Sequence, residues 1–173
     1  AALKALEIFK DTNVEPILLV LSSDHQIEDI KKFHSSINNS IEEALKGNLI
    51  IFGVPPTYPA TGYGYIKSEK QLEHNKYNPC KVEKFIEKPD EKTAKYFIKD
   101  NKYSWNSGMF VFKATAILTE IKRFAPEILN NCKQCIDQST KDLDFLRLEK
   151  RSFLNCQDVS IDISVFEKTK KAF

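Results

Sequence analysis

Along the first ten positions Ala2, Leu6 and Phe9 recur at helical spacing and predict a helix over Ala1–Lys10, with Asn13 as its stop. Ile17–Leu21 (ILLVL) is an unbroken apolar run rich in branched side chains, the pattern of a strand buried on both faces. From about Glu28 a longer helix carries Ile30, Phe33, Ile37, Ile41 and Leu45 on one stripe. Gly47 ends it, where a residue of left-handed conformation is wanted. Leu49–Val54 (LIIFGV) is the next strand. A strand–helix–strand unit preceded by a helix predicts an α/β sheet with parallel neighbours.

The pattern then changes. Pro55–Gly64 (PPTYPATGYG) is a loop by composition. Tyr65–Lys67 and Lys81–Lys88 read as strands flanking a polar excursion, Glu73–Pro79. Asp90 is placed to cap a helix holding Ala94, Phe97 and Ile98, and Gly108–Phe112 returns to strand. After Thr115 the spacing is helical, with Leu118, Ile121 and Phe124 before Pro126, and Ile128, Cys132, Cys135 and Ile136 after it. A further short helix is expected around Phe145 and Leu148. Without an internal repeat or a linker, 1–173 reads as one compact domain that lacks its beginning.

Charge and cysteine content narrow the function classes. Lys plus Arg is 26 against 24 Asp plus Glu, and the lysines are interleaved with acids, so the clustered basic face of a nucleic-acid binder is missing. No apolar run nears the roughly 20 residues that cross a bilayer. The 4 cysteines are too few for a disulfide framework in a chain of this length, which points to a reducing cytoplasm.

Several short segments could carry chemistry. Asp24 stands beyond the carboxyl end of the ILLVL strand, the edge where α/β sheets bind ligands. A carboxylate there can hold magnesium, which takes one or two protein carboxylates and completes its shell with water and phosphate; a plain turn or helix-start residue is the competing role. His25 reads as a hydrogen-bonded loop histidine. Thr61-Gly62-Tyr63-Gly64-Tyr65 lets backbone approach a ligand without Cβ interference, or is a tight turn with two packed tyrosines. Glu87-Lys88-Pro89, at a strand end, could divide its duties between sugar hydroxyls and phosphate, or be a solvated charge pair. Trp105-Asn106-Ser107-Gly108 sets an amide beside a glycine in what reads as a turn into a strand. Asp162 is an acid among apolar neighbours, costly unless paired or cation-bound. Cys132-x-x-Cys135 falls on a helical apolar stripe with no second pair, which favours core packing over a metal site.

The order of these segments resembles mannose-1-phosphate guanylyltransferases. The segments are Ser23-Asp24-His25, FGVPPTYPATGYGYI (Phe52–Ile66), FIEKPD (Phe85–Asp90), WNSGMFVF (Trp105–Phe112), DLDFLR (Asp142–Arg147) and SIDISVFEKT (Ser160–Thr169). The resemblance spans nearly the whole chain, with Ser22-Ser23 where the family usually has Pro-Ala, and Ala60 where it has Glu. It implies a Rossmann-like nucleotide-diphospho-sugar transferase fold, an α/β/α sandwich incomplete at both ends, of which 1–173 is the sugar-phosphate-binding part. The family's glycine-rich nucleotide loop is expected upstream of Ala1, and a closing stretch after Phe173.

The resemblance also implies roles. Asp24 and Asp162 match the aspartates that bind catalytic Mg2+. Gly62, Glu87 and Asn106 match mannose contacts, and Lys88 matches the cation facing the sugar phosphate. The implied substrates are GTP and mannose 1-phosphate, with a homo-oligomer as a further expectation. A phosphate monoester has its second pKa near about 6, so the sugar phosphate is largely dianionic at neutral pH and needs no general base. The demand is positioning and charge neutralisation. The competing readings are a related enzyme using another hexose phosphate or nucleotide, a catalytically silent sugar-phosphate-binding homologue, and the transferase half of a bifunctional protein whose cupin domain is a phosphomannose isomerase.

Overall fold

The computed structural model describes residues 1–73 and 76–173; His74 and Asn75 of the expected polar excursion lie outside the described residues. The chain divides into two compact units, one of Ile17–Lys113 with Thr169–Phe173, the other of Ala1–Pro16 with Ala114–Lys168.

The first unit is a sheet organised on one long strand. Its elements are β1 (Ile17–Val20), α1 (Ile30–Leu45), β2 (Ile50–Val54), β3 (Tyr65–Ser68), β4 (Val82–Ile86), α2 (Glu91–Phe97) and β5 (Tyr103–Lys113). One edge of β5 takes β1 along Phe110–Lys113 and β3 along Tyr103–Trp105, while β2 lies on the other edge; all three run antiparallel to it. β4 pairs antiparallel with β3.

The expected parallel neighbours are therefore corrected. β1 and β2 do run parallel to each other, as a strand–helix–strand unit requires, but β5 inserts between them. The parallel pairing that β2 makes is with the chain end, where Leu49 and Ile51 N–H groups donate to the Lys171 and Phe173 carbonyls at 2.8 Å. Such an insertion joins residues distant in sequence, and local hydrophobic pattern carries no record of it. β1 also departs from a strand buried on both faces. Ile17 and Leu18 are half-buried, but Leu19 is 42% exposed, and Val20 and Leu21 are exposed too.

Local signals decide the helices. Asp29 starts α1 by accepting the Lys32 N–H at 3.0 Å, and Gly47 beyond its end has φ +90°. Asp90 Oδ1 accepts the Thr93 N–H at 2.7 Å, which starts α2 where expected. Strand alternation then sorts the sheet. Tyr65, Ile86 and Trp105 oppose one another on one face, where α2 adds Ala94 and Phe97. Ile66, Phe85 and Ser104 take the other face. A second cluster joins Ala44 of α1 to Ile50 and Val111.

The second unit is mainly helical: α3 (Ala2–Ile8), α4 (Ala114–Phe124), α5 (Pro126–Asp137), α6 (Lys150–Leu154) and a π-helical turn at Asp162–Phe166. α4 packs against α3, α5 and the π-helical turn. Pro126 opens α5, which suits its lack of an N–H. The helix expected around Phe145 and Leu148 is instead a hairpin, β6 (Thr140–Asp142) with β7 (Phe145–Arg147). Asp142 and Asp144 favour a turn, Leu143 takes φ +52°, and Arg147 Nε closes it on Asp142 Oδ2 at 2.9 Å. The helix begins later because the Glu149 carboxylate accepts the Arg151 and Ser152 N–H groups at 2.7 and 2.6 Å. Among the described residues no helix is long and apolar enough to cross a membrane.

Ile50→Ala, deep in the sheet–helix cluster, is expected to lower the unfolding free energy by about 2–5 kcal/mol. Leu19→Ala should cost at most about 1 kcal/mol, since much of Leu19 already meets solvent. Urea unfolding of both variants measures the difference, and equal losses would restore the buried reading of β1.

Candidate functional site

Several site candidates of the first unit collect around the start of β3, the end of β4 and an irregularity in β5. Opposite Ile51 and Gly53 of β2 stand Phe110 and Asn106, so β5 carries two extra residues between these pairs. Gly108, in that bulge, has φ +71°, a conformation that L side chains rarely adopt. The Gly108 N–H donates to Asn106 Oδ1 at 3.0 Å, and the Met109 N–H to Ser107 Oγ at 3.2 Å. What reads from sequence as a turn into a strand is thus strand interior, bulged so that the Asn106 side chain is held by its own backbone.

Asn106 also fixes the glycine segment, its N–H donating to the Gly64 carbonyl at 2.8 Å. Gly64 lacks room for anything larger. A Cβ there would stand 2.6 Å from Glu87 Oε2, 3.2 Å from Phe85 Cζ and 3.4 Å from Asn106 Cβ. Gly64, Glu87 and Asn106 therefore converge on the face opposite α2. Gly62 differs, since a Cβ there meets nothing within 4 Å. Sequence reading singled out Gly62 as the contact, whereas Gly64 is the glycine packed against the other two residues. The signal for Gly64 was present in the Gly-Tyr-Gly spacing, but only the cross-strand register tells the two glycines apart.

Lys88 has φ +45°, a strained conformation for a residue with a side chain. Its Nζ lies 3.3 Å from Glu87 Oε1, and the Lys88 side chain is 64% exposed against 16% for Glu87. A well-covered carboxylate beside an open ammonium suits a ligand with hydroxyls at one end and an anion at the other.

Asp24 lies in the turn after β1, exposed. It is not the helix start, because Asp29 performs that capping. Its loop reaches the bulge, since Ser22 Oγ is 3.7 Å from where a Gly108 Cβ would be. Asp162 belongs to the second unit, half-buried in the first turn of the π-helical segment, a type of irregularity frequent at functional sites. Among the described residues no group of three or more His, Cys, Asp or Glu side chains could hold a metal ion. Magnesium needs only one or two protein carboxylates, with water and phosphate filling the remaining positions. Asp24, open to solvent, fits such a partial shell. His25 is exposed.

Sequence reading allowed packed tyrosines at 63 and 65 but missed the part of Tyr58 and Trp105 in anchoring the Pro55–Gly64 loop. Tyr58 and Tyr63 set their rings edge-on to Trp105 at 5.0 and 5.2 Å between centroids. The Tyr58 hydroxyl donates to that of Tyr63 at 3.5 Å, and this bond raises the Tyr58 pKa above its ordinary 10.0. Buried Tyr65 donates its hydroxyl to the Ala60 carbonyl at 2.9 Å, pinning the loop from beneath.

The sheet thus gathers a carboxylate, an amide and an ammonium around Gly64. Residues 1–152 match the nucleotidyl transferase family, to which this chain belongs. More particularly, it is 42% identical to the mannose-1-phosphate guanylyltransferase of Escherichia coli over 94% of this chain and 35% of that protein. It is also 42% identical to mannose-1-phosphate guanylyltransferase RfbM of Salmonella typhimurium, over 92% of this chain and 33% of RfbM. The crystal structure of a mannose-6-phosphate isomerase from Helicobacter pylori is similar with a TM-score of 0.83 and 36% identity, covering 99% of this chain and 64% of that one. The fold is thus the mixed α/β fold of nucleotide-diphospho-sugar transferases. The chain spans about a third of the length of the curated relatives it matches.

Gly64→Ala is expected to force Glu87 aside and to lower stability by about 1–3 kcal/mol, as overpacking does. Gly62→Ala should change it by less than about 0.5 kcal/mol. Denaturant unfolding of the two variants gives the comparison, and a neutral Gly64→Ala would mean that the convergence on Gly64 is looser than described.

Proposed function

We propose that this chain is the sugar-phosphate-binding part of an enzyme that transfers GMP from GTP to α-D-mannose 1-phosphate, giving GDP-mannose and pyrophosphate. The observation that carries the proposal is the convergence of Gly64, Glu87 and Asn106 beside Lys88. Similarity to the guanylyltransferases of Escherichia coli and Salmonella typhimurium supports the choice of sugar and nucleotide.

In this reading Glu87 accepts hydrogen bonds from sugar hydroxyls, Asn106 supplies its amide, and the open space beside Gly62 lets the ring approach. Lys88 neutralises the sugar phosphate and keeps one of its oxygens facing the α-phosphorus of GTP. No side chain has to remove a proton, because the attacking phosphate is already dianionic. Asp24 and Asp162 are the carboxylates that would hold magnesium, which when bound supplies charge neutralisation at the phosphates. The nucleoside triphosphate substrate and the four free thiols suit a cytoplasmic setting. Self-association belongs to the same proposal and is read by light scattering.

A second reading has one observation in its favour: the similar Helicobacter pylori structure carries the name mannose-6-phosphate isomerase. In a bifunctional parent this segment would still be the transferase part.

Glu87→Ala is expected to weaken mannose 1-phosphate binding to the chain about ten- to a hundredfold, the loss of about 1.5–3 kcal/mol of charged hydrogen bonding. Calorimetric titration measures it, and unchanged affinity would remove Glu87 from the sugar site. Turnover is tested in a pyrophosphate-release assay with GTP and mannose 1-phosphate. There Asp24→Asn and Asp162→Asn should each abolish most pyrophosphate release, and the double variant should be little worse, because the two act as a unit. Near-normal turnover of either single variant at saturating magnesium would end the magnesium assignment.

A further inference from the structure

Nucleotidyl transfer leaves one group of nucleophiles unused. Cys132 and Cys135 lie on α5, and Cys156 follows α6, all within the second unit. Two hydrogen bonds bind these segments together: Asn131 Nδ2 donates to the Asn155 carbonyl at 3.0 Å, and the Glu149 N–H to the Cys135 carbonyl at 3.3 Å. Residues 131 and 155 immediately precede Cys132 and Cys156, so the first bond joins the chain at these two cysteines. The Cys156 thiol donates to the Ser152 carbonyl at 3.7 Å and lies near enough to Cys132 and Cys135 to interact with them electrostatically.

The three are not equally reachable. Cys135 is 2% exposed, whereas Cys132 and Cys156 are half-buried. Burial pushes the Cys135 and Cys156 thiols up, which lowers their thiolate fraction. Cys80 belongs to the other unit and takes no part. The apolar-stripe reading therefore holds for Cys135 and leaves the other two with a chemistry of their own.

We propose that Cys132 and Cys156 are a paired oxidation site, closing to an intramolecular disulfide when the protein meets a hydroperoxide. One sulfur attacks the peroxide, forming an S–O bond as the O–O bond breaks and an alcohol, or water from hydrogen peroxide, leaves. The second thiol attacks the resulting sulfenic acid, forming the S–S bond and releasing water with its proton. The balance is two thiols and one hydroperoxide to one disulfide, one alcohol and one water. The product ties α5 to the end of α6 and stabilises that packing by restricting the unfolded chain.

The full chain is treated with hydrogen peroxide, quenched, labelled with a maleimide and mapped as peptides by mass spectrometry. Free thiols should fall from four to two, with loss of two hydrogen atoms in mass and one Cys132–Cys156 crosslinked peptide. The melting temperature should rise, and dithiothreitol should reverse every change. Cys80→Ser should behave like the parent, whereas Cys132→Ser and Cys156→Ser should lose the crosslink. Oxygen adducts without a crosslink, a bridge to Cys135, or bridges between chains would each overturn the proposal. The peptide map of the unsubstituted chain decides it even if a serine variant fails to fold.

Discussion

Strand β5 takes hydrogen bonds on both edges, and the first unit depends on that double pairing. On one edge β1 and β3 lie end to end, and on the other β2 runs past both. Each antiparallel ladder satisfies backbone groups that burial would otherwise leave unpaired, at a cost of about 1–3 kcal/mol each. The same strand supplies the floor of the aromatic cluster through Trp105 and the amide of the site through Asn106. Adjacent residues on a strand face opposite sides, so the two tasks fall to neighbours without conflict.

The bulge in β5 is where folding and site meet. A regular strand would continue the ladder from Asn106 to Phe110 without interruption; two extra residues let the chain turn the Asn106 carboxamide back onto the Gly108 N–H. Gly108 makes that turn tolerable, and Gly64 makes room for Glu87 beside it. Strain at Lys88 completes the pattern, with an ammonium presented from a backbone conformation that regular structure does not favour. At Gly108 the surrounding ladders hold irregular backbone beside the candidate ligand site.

Elements governed by neighbours in sequence were legible in advance. The cap at Asp90, the stop at Gly47 and the middle of the α1 stripe at Phe33, Ile37 and Ile41 depend on residues within a turn or two of each other, whereas the ends of that stripe, Ile30 and Leu45, are exposed. The expected helix near Phe145 failed for an equally local reason: turn-forming aspartates flank Leu143, and two apolar residues at positions 145 and 148 fit a strand and its exit as well as a helix. Exposure of Leu19 and Val20 was illegible, because an apolar run states what could be buried and not what is present to cover it.

By itself the sequence determined the identity of the chemical groups and their order along the chain: carboxylates at Asp24, Glu87 and Asp162, an amide at Asn106, a cation at Lys88, and glycines at 62 and 64. It determined the local elements that carry them, since capping and periodicity act over a few residues. Tertiary structure alone decided that β5 separates β1 from β2, that Gly64 rather than Gly62 faces Glu87 and Asn106, and that the segment ending in Cys156 is bonded to α5 beside Cys132. These are pairings between segments tens of residues apart, set by strand register and helix packing. Neither leaves a periodic trace in the local sequence.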